Sequence, residues 1–355
     1  MFGDQPSFRY HWPRCVIRGE AIRRAIAGTF DMIANIQLLR AFAAINVVIF
    51  HLIITANGYQ QSTPLFNVLQ GWGQNGVDIF FVISGFIMLH TQLRQPKTPW
   101  QFLRQRLIRI VPLYWLFTLL VVCLLALFPA MFRDLSLQGD WVLASFFFSA
   151  QWFTDKYPVV FVGWTLEWEM LFYLLFGCAL WLKALPLIAL TVTVALFGVA
   201  LQSGQWMLLE FCFGMLAAWI YATRTWSVQT GLLCLLVGAW LLSLSLLPVV
   251  KDMAIDRTLS WGLPAFLLVL GAAMAPQNKT ALLQRLGDAS YSLYLLQILT
   301  IPACYKLSSK LLPAANPWLL AAICMLLTLL AALACHQWLE QPMLRWLRQR
   351  TAGQR

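Results

Sequence analysis

The sequence predicts an all-α integral membrane protein, a bundle of about ten transmembrane helices with both termini in the cytoplasm, and three observations carry that expectation. Of 355 residues, 60% are hydrophobic and 11% charged, where a soluble chain has about a quarter charged; the mean hydropathy is +0.71. Apolar runs close to the roughly 20 residues that cross a hydrocarbon core of about 30 Å recur along the chain. Lysine and arginine are divided very unequally between alternate sides of those runs, as cytoplasmic retention of positive charge requires. Long Leu, Ala, Val and Phe stretches favour helices, which satisfy their own backbone, over barrel strands.

The formal charge of +11 therefore reads as a topology signal, not a nucleic-acid footprint. The eight cysteines form no CxxC pair and no His-flanked cluster, so neither a metal site nor a disulfide frame is predicted. They read as small buried hydrophobes.

Residues 1–35 are a basic segment expected to remain cytoplasmic, with Arg9, Arg14, Arg18, Arg23 and Arg24 and no secretory-signal core. A start at Met32 is the alternative. The crossings expected over 36–340 are 36–56, 77–93, 108–128, 163–182, 184–201, 206–221, 231–249, 259–275, 291–312 and 318–339. A shorter apolar piece, 141–153, lies in the longest loop and suits an interfacial or re-entrant helix. Residues 341–355 form a basic cytoplasmic tail. With these crossings one side collects the N-terminal arginines, Arg94, Lys97, Arg104, Arg106, Arg109, Lys183, Arg224, Lys279, Arg285, Arg345, Arg348, Arg350 and Arg355. The other has Arg133, Lys156, Lys251, Arg257, Lys306 and Lys310.

Ionisable groups inside a crossing are expensive and mark function by default. The first crossing carries Arg40 and, eleven residues later, His51. They share a face, about 16 Å apart along the axis. Arg40 reads equally as a snorkelling topology residue and His51 as a histidine hydrogen-bonded inside the bundle. Asp78 and Glu169 enter from the outer face at comparable depth, so His51, Asp78 and Glu169 are expected to converge, with a carboxylate orienting the histidine as a general base. Glu167 reads as an interface marker. Arg106 and Arg109, at i and i+3, form a phosphate clamp or a positive-inside anchor.

Four segments together resemble the acyltransferase-3 family, in particular its branch that O-acetylates bacterial exopolysaccharides. They are the Arg40 to His51 pattern, GVDIFFVISGF at 76–86, the Arg106, Arg109, Pro112 and Tyr114 pattern, and WTLEWEMLFY at 164–173. GDASYSLY at 287–294 and Glu340-Gln341-Pro342 add to it. The resemblance implies transfer of an acetyl or other acyl group from cytoplasmic acyl-CoA, as a donor substrate and not a bound cofactor, to a sugar hydroxyl of a lipid-linked or nascent glycan at the bacterial inner membrane. His51, Glu169 and Asp78 would then be catalytic. Arg40, Arg106, Arg109 and Tyr114 would bind acyl-CoA, while Ser84, Trp164 and Tyr173 would serve the oxyanion or the sugar. Gln297 departs from the pattern, because many members carry a histidine there. A transporter or flippase of lipid-linked saccharides, with the same charges as a proton relay, is the competing class; a scaffold in polysaccharide assembly is a third.

Overall fold

The computed structural model describes residues 33–129, 137–223, 225–247, 249–250, 253, 255–312 and 314–352. The expectations for residues 1–32, including the Met32 start, and for Arg133, Arg224, Lys251 and Arg355 lie outside them.

Local chemistry sets where the helices begin. Thr98 Oγ1 accepts from the Gln101 amide and the Gln101 side chain accepts from the Thr98 amide, a capping box followed by Pro99 at the first helical position. Asn316 caps its helix by accepting from the Trp318 and Leu319 amides, again with proline next. In chain order the helices are α1 (Ala34–Gly58), α2 (Asn75–Arg94), α3 (Pro99–Leu127), α4 (Gly139–Phe146), α5 (Ala150–Phe153), α6 (Trp164–Ala179) and α7 (Leu185–Ser203). They continue as α8 (Leu209–Thr223), α9 (Val228–Leu244), α10 (Leu263–Met274), α11 (Ala281–Asp288), α12 (Ser290–Leu311), α13 (Pro317–Cys335) and α14 (Gln341–Ala352). Two short π-helical turns, Thr258–Gly262 and His336–Glu340, lead into α10 and α14. No strand occurs among the described residues.

Each expected crossing coincides with a helix, but fewer than ten meet the demands of a span. Among the described residues, seven helical stretches are long and apolar enough to cross a membrane. Val228–Leu244 and Thr258–Met274 are apolar but shorter. Helix α12 has 22 residues and is not one of the seven; its serines, tyrosines, Gln297, Lys306 and Lys310 dilute its apolar character. The apolar piece at 141–153 splits into α4 and α5.

Without a hydrophobic drive between helices in lipid, close backbone approach holds a bundle together. Helices α2 and α8 show this: a Cβ on Gly85 would lie 2.0 Å from the Phe211 carbonyl oxygen, and one on Gly214 would lie 2.0 Å from that of Val82. Beside this seam Phe211 stacks between Phe81 and Phe172, each at 4.4 Å between centroids. Helix α6 is thereby locked to the pair.

Candidate active site

A cavity of about 1190 Å³ opens among α1, α2, α3, α6, α12 and α14. Seven arginines line it against three carboxylates, Glu169, Asp288 and Glu340.

Arg40 enters from α1, and the segment between α11 and α12 holds it. Its Nη1 donates to Gln37 Oε1 and its Nη2 to Ser290 Oγ, both at 2.8 Å, while Gln37 Nε2 donates to Asp288 Oδ1 at 2.6 Å. Only a residue without a side chain fits at Gly287, where a Cβ would lie 2.2 Å from the Gln37 carbonyl oxygen. The GDAS stretch is thus a clamp that aims one guanidinium.

Arg106 and Arg109 come from the first three turns of α3. Both Arg40 and Arg106 feel the repulsion of Arg109, and both are attracted by Glu169. The Arg106 guanidinium carbon lies 6.0 Å from the centre of the Tyr173 ring, and its Nε is buried without a hydrogen-bond partner. In the loop before α3, burial and Arg106 hold the Lys97 ammonium below the ordinary lysine value. Arg40, Arg106 and Arg109 share one part of the cavity wall, an arrangement suited to an anionic ligand.

Glu169 completes this group. Its Oε1 accepts from Ser84 Oγ at 2.6 Å and from Tyr173 Oη at 2.5 Å. Sequence reasoning offers Ser84 as a donor to an oxyanion, but here its proton points at Glu169. At the far wall Tyr291 Oη donates to the Ile110 carbonyl at 2.7 Å, and Tyr294 Oη lies 2.6 Å from Thr165 Oγ1.

The expected convergence of His51, Asp78 and Glu169 does not form. Glu169 stands with the arginines. The Asp78 carboxylate is fully buried and takes both its contacts from Arg257, whose Nε and Nη2 each reach it at 2.9 Å. Glu210, also buried, adjoins this pair. His51 lines none of the cavity; it packs edge-on to Phe50 and Phe161, with centroids at 5.0 and 5.2 Å. The Val47 carbonyl and Gln297 face its ring, yet its Nδ1 and Gln297 Oε1 are both buried without a complete hydrogen bond. Depth along an axis was legible in the sequence; the direction in which each helix turns its side chains was not.

Tyr114 and Trp164 also stand apart from the cavity lining. Tyr114 is fully buried, donates to the Ser145 carbonyl at 3.1 Å and stacks on Phe148 at 4.5 Å. It fastens α3 to α4. The Trp164 carbonyl accepts from Gln151 Nε2 at 3.2 Å. Glu167, expected at an interface, is buried and binds the start of α5 through the Ala150 and Gln151 amides at 2.8 and 3.1 Å. The loop helices are thus tied to α6 by a carboxylate.

Four further groups carry no sequence-derived role. His90 lines the cavity, stacked on Phe86 at 5.3 Å and lying 5.6 Å from Tyr221. The π-helical turn before α14 presents His336 and Glu340 to the cavity, with Glu340 Oε2 accepting from Ser292 Oγ at 2.6 Å and 2.8 Å from His336 Nδ1. Glu210 completes the set. A polar residue isolated in an apolar run was a usable signal for His90 and Glu210; their neighbours were not readable.

An acyltransferase domain matches residues 33–337, a stretch that includes Arg40, His51, Ser84, Arg106, Arg109 and Glu169. This chain belongs to the acyltransferase-3 family. It is 35% identical over 308 residues to the exopolysaccharide production protein ExoZ of Rhizobium meliloti, covering 79% of this chain and 93% of that protein. It is 28% identical over 233 residues to the peptidoglycan O-acetyltransferase OatA of Listeria monocytogenes, and 28% over 221 residues to the O-acetyltransferase OatA of Staphylococcus aureus. Those matches span 59% and 57% of this chain but 34% of each OatA. No solved structure matches the chain. As an acyltransferase-3 protein with seven helical stretches able to span a bilayer, it is a membrane acyltransferase.

Proposed function

We propose that this acyltransferase-3 protein transfers an acetyl group from cytoplasmic acetyl-CoA to a hydroxyl of an exopolysaccharide sugar or its lipid-linked precursor, from the bacterial inner membrane. The observation that carries this reading is the cavity in which Arg40, Arg106 and Arg109 crowd around Glu169. Likeness to ExoZ and OatA supports a glycan acceptor and an acetyl donor. Ten crossings with both termini cytoplasmic would open this cavity to the cytoplasm, where the donor is available.

In this reading the arginines bind the CoA phosphates, and Tyr173, Ser84 and Glu169 shape the channel for the thioester arm. His51 lies about 16 Å along α1 from Arg40, toward the opposite face, and receives the acceptor. Its imidazole takes the hydroxyl proton as the acceptor oxygen attacks the thioester carbonyl; the C–S bond breaks, and the CoA thiolate leaves and collects a proton. Phe80 and Tyr294, which line the deep end of the cavity, are the wall that the thioester must pass. Asp78 serves the fold through Arg257 and has no part in this chemistry.

Acetyl-ester content of surface glycans, measured by mass spectrometry and proton NMR in a null strain, tests the reading. Wild type restores the ester and His51→Ala lowers transfer by about 10²- to 10⁴-fold with polymer export intact. Loss of export with unchanged acetylation would instead favour a transporter of lipid-linked saccharides.

A further inference from the structure

We propose that Arg94, Arg104, Arg345 and Arg348 form a second anion subsite at the cavity mouth, for a phosphate monoester on the donor nucleotide that lies apart from its pyrophosphate; this inference rests on the acyl-CoA reading. The four side chains come from three elements, the last turn of α2, the start of α3 and helix α14, and all line the same cavity. Arginines that served only to anchor helices in lipid headgroups would fan out around the bundle. These converge.

Helix geometry sets most of the outer group apart. Arg94 lies ten residues, about 15 Å, beyond Ser84 on α2, and Arg345 and Arg348 stand on α14, which contributes nothing to the deep trio; Arg104, two residues and about 3 Å before Arg106 on α3, joins the two groups. The three carboxylates of the cavity all act on Arg40 in the deeper group. Arg94 and Arg104 are half-buried, whereas Arg345 and Arg348, one turn apart on α14, are exposed. A deep trio followed by an outer quartet fits a ligand with two separated phosphate positions, and coenzyme A has that chemistry in its pyrophosphate and its 3′-phosphate. Arginine suits both, because its planar fork engages phosphate oxygens in pairs.

The subsite predicts discrimination at the 3′-phosphate. Full-length protein in nanodiscs of zwitterionic phosphatidylcholine, which lack anionic headgroups that would offer the same chemistry, is titrated with acetyl-CoA and with acetyl-dephospho-CoA. Wild type binds acetyl-CoA tighter by about tenfold or more, the effect of one or two charge-assisted contacts. The R345Q/R348Q variant, on exposed positions that leave the bundle folded, loses that preference, while its affinity for the dephospho compound falls far less. Equal binding of both compounds by wild type overturns the subsite and leaves the donor reading standing. A variant that keeps the wild-type preference also overturns it. Binding of neither compound overturns the donor reading, and the subsite with it.

Discussion

Arg257 and Arg106 are both arginines in a membrane bundle, yet they live in opposite electrostatic settings. Arg257 meets the Asp78 carboxylate on two edges and lies 5.1 Å from the Trp261 ring. Its charge is answered by the protein itself. Arg106 lies one turn from Arg109 on the same helix wall, attracted by Glu169 but with a buried Nε that no protein group satisfies. Desolvating a guanidinium is costly unless an opposite charge compensates it. The first region is therefore complete in itself, whereas the second, with seven arginines against three carboxylates, keeps an excess of positive charge that an entering anion would balance. Internal compensation separates a structural charge from a functional one more cleanly than burial does, because both arginines are largely withdrawn from solvent.

That contrast can be broken by removing either set of charges. Removing both functional cations, R106Q with R109Q, should have the largest effect: two charge-assisted contacts at about 1.5 to 3 kcal/mol each raise the KM for acetyl-CoA by about 10²-fold or more. The thermal midpoint should hold or rise, since two mutually repelling charges are gone. The reverse pattern is expected at the Asp78–Arg257 pair. Arg257→Gln strands Asp78 and costs about 3 to 5 kcal/mol of stability, read as a lower thermal midpoint in detergent, while the KM of the folded fraction stays near wild type. Joint replacement of Asp78 and Arg257 by leucine and methionine should recover most of that loss. A midpoint that fell for the cavity variant and held for Arg257→Gln would invert the comparison.

Smaller effects sharpen it. Glu167→Gln weakens the charge-assisted hold on the start of α5, by about 1.5 to 3 kcal/mol, and should raise protease cleavage near residues 150–160 before it touches donor binding. Ser84→Ala removes one of two donors to Glu169 Oε1 and should cost about 0.5 to 1.5 kcal/mol, read as up to about a tenfold drop in kcat.

The two regions also differ in how far the sequence reveals them. Arg40, Arg106, Arg109 and Glu169 are legible because each interrupts an apolar run near motifs of the family, and they do gather in one cavity. Their geometry rests on Gln37, which looks ordinary in sequence, and on Ser290, which belongs to the GDASYSLY stretch but whose contact with Arg40 spans 250 positions. Asp78 was legible as a buried carboxylate, but its partner lies 179 positions away in what reads as an outer-side basic residue. Helix positions follow from hydropathy, since hydrocarbon constrains every turn alike. The facing of one helix toward another follows from Gly85, Gly214 and Gly287, where backbones touch, and no periodicity announces which glycine meets which carbonyl.

The π-helical turn at His336–Glu340 carries a consequence for how this chain tolerates change. Such a turn holds one residue more than an α-turn would, and each residue advances a helix by about 100°. Deleting a single position there would return the turn to ordinary α geometry and leave Arg345 and Arg348 at the cavity mouth. A deletion in the regular helix between this turn and Arg345 has no such reserve and would swing both arginines through that angle, toward a different quarter of the bundle. The turn is therefore where this end of the chain should best absorb a change of length.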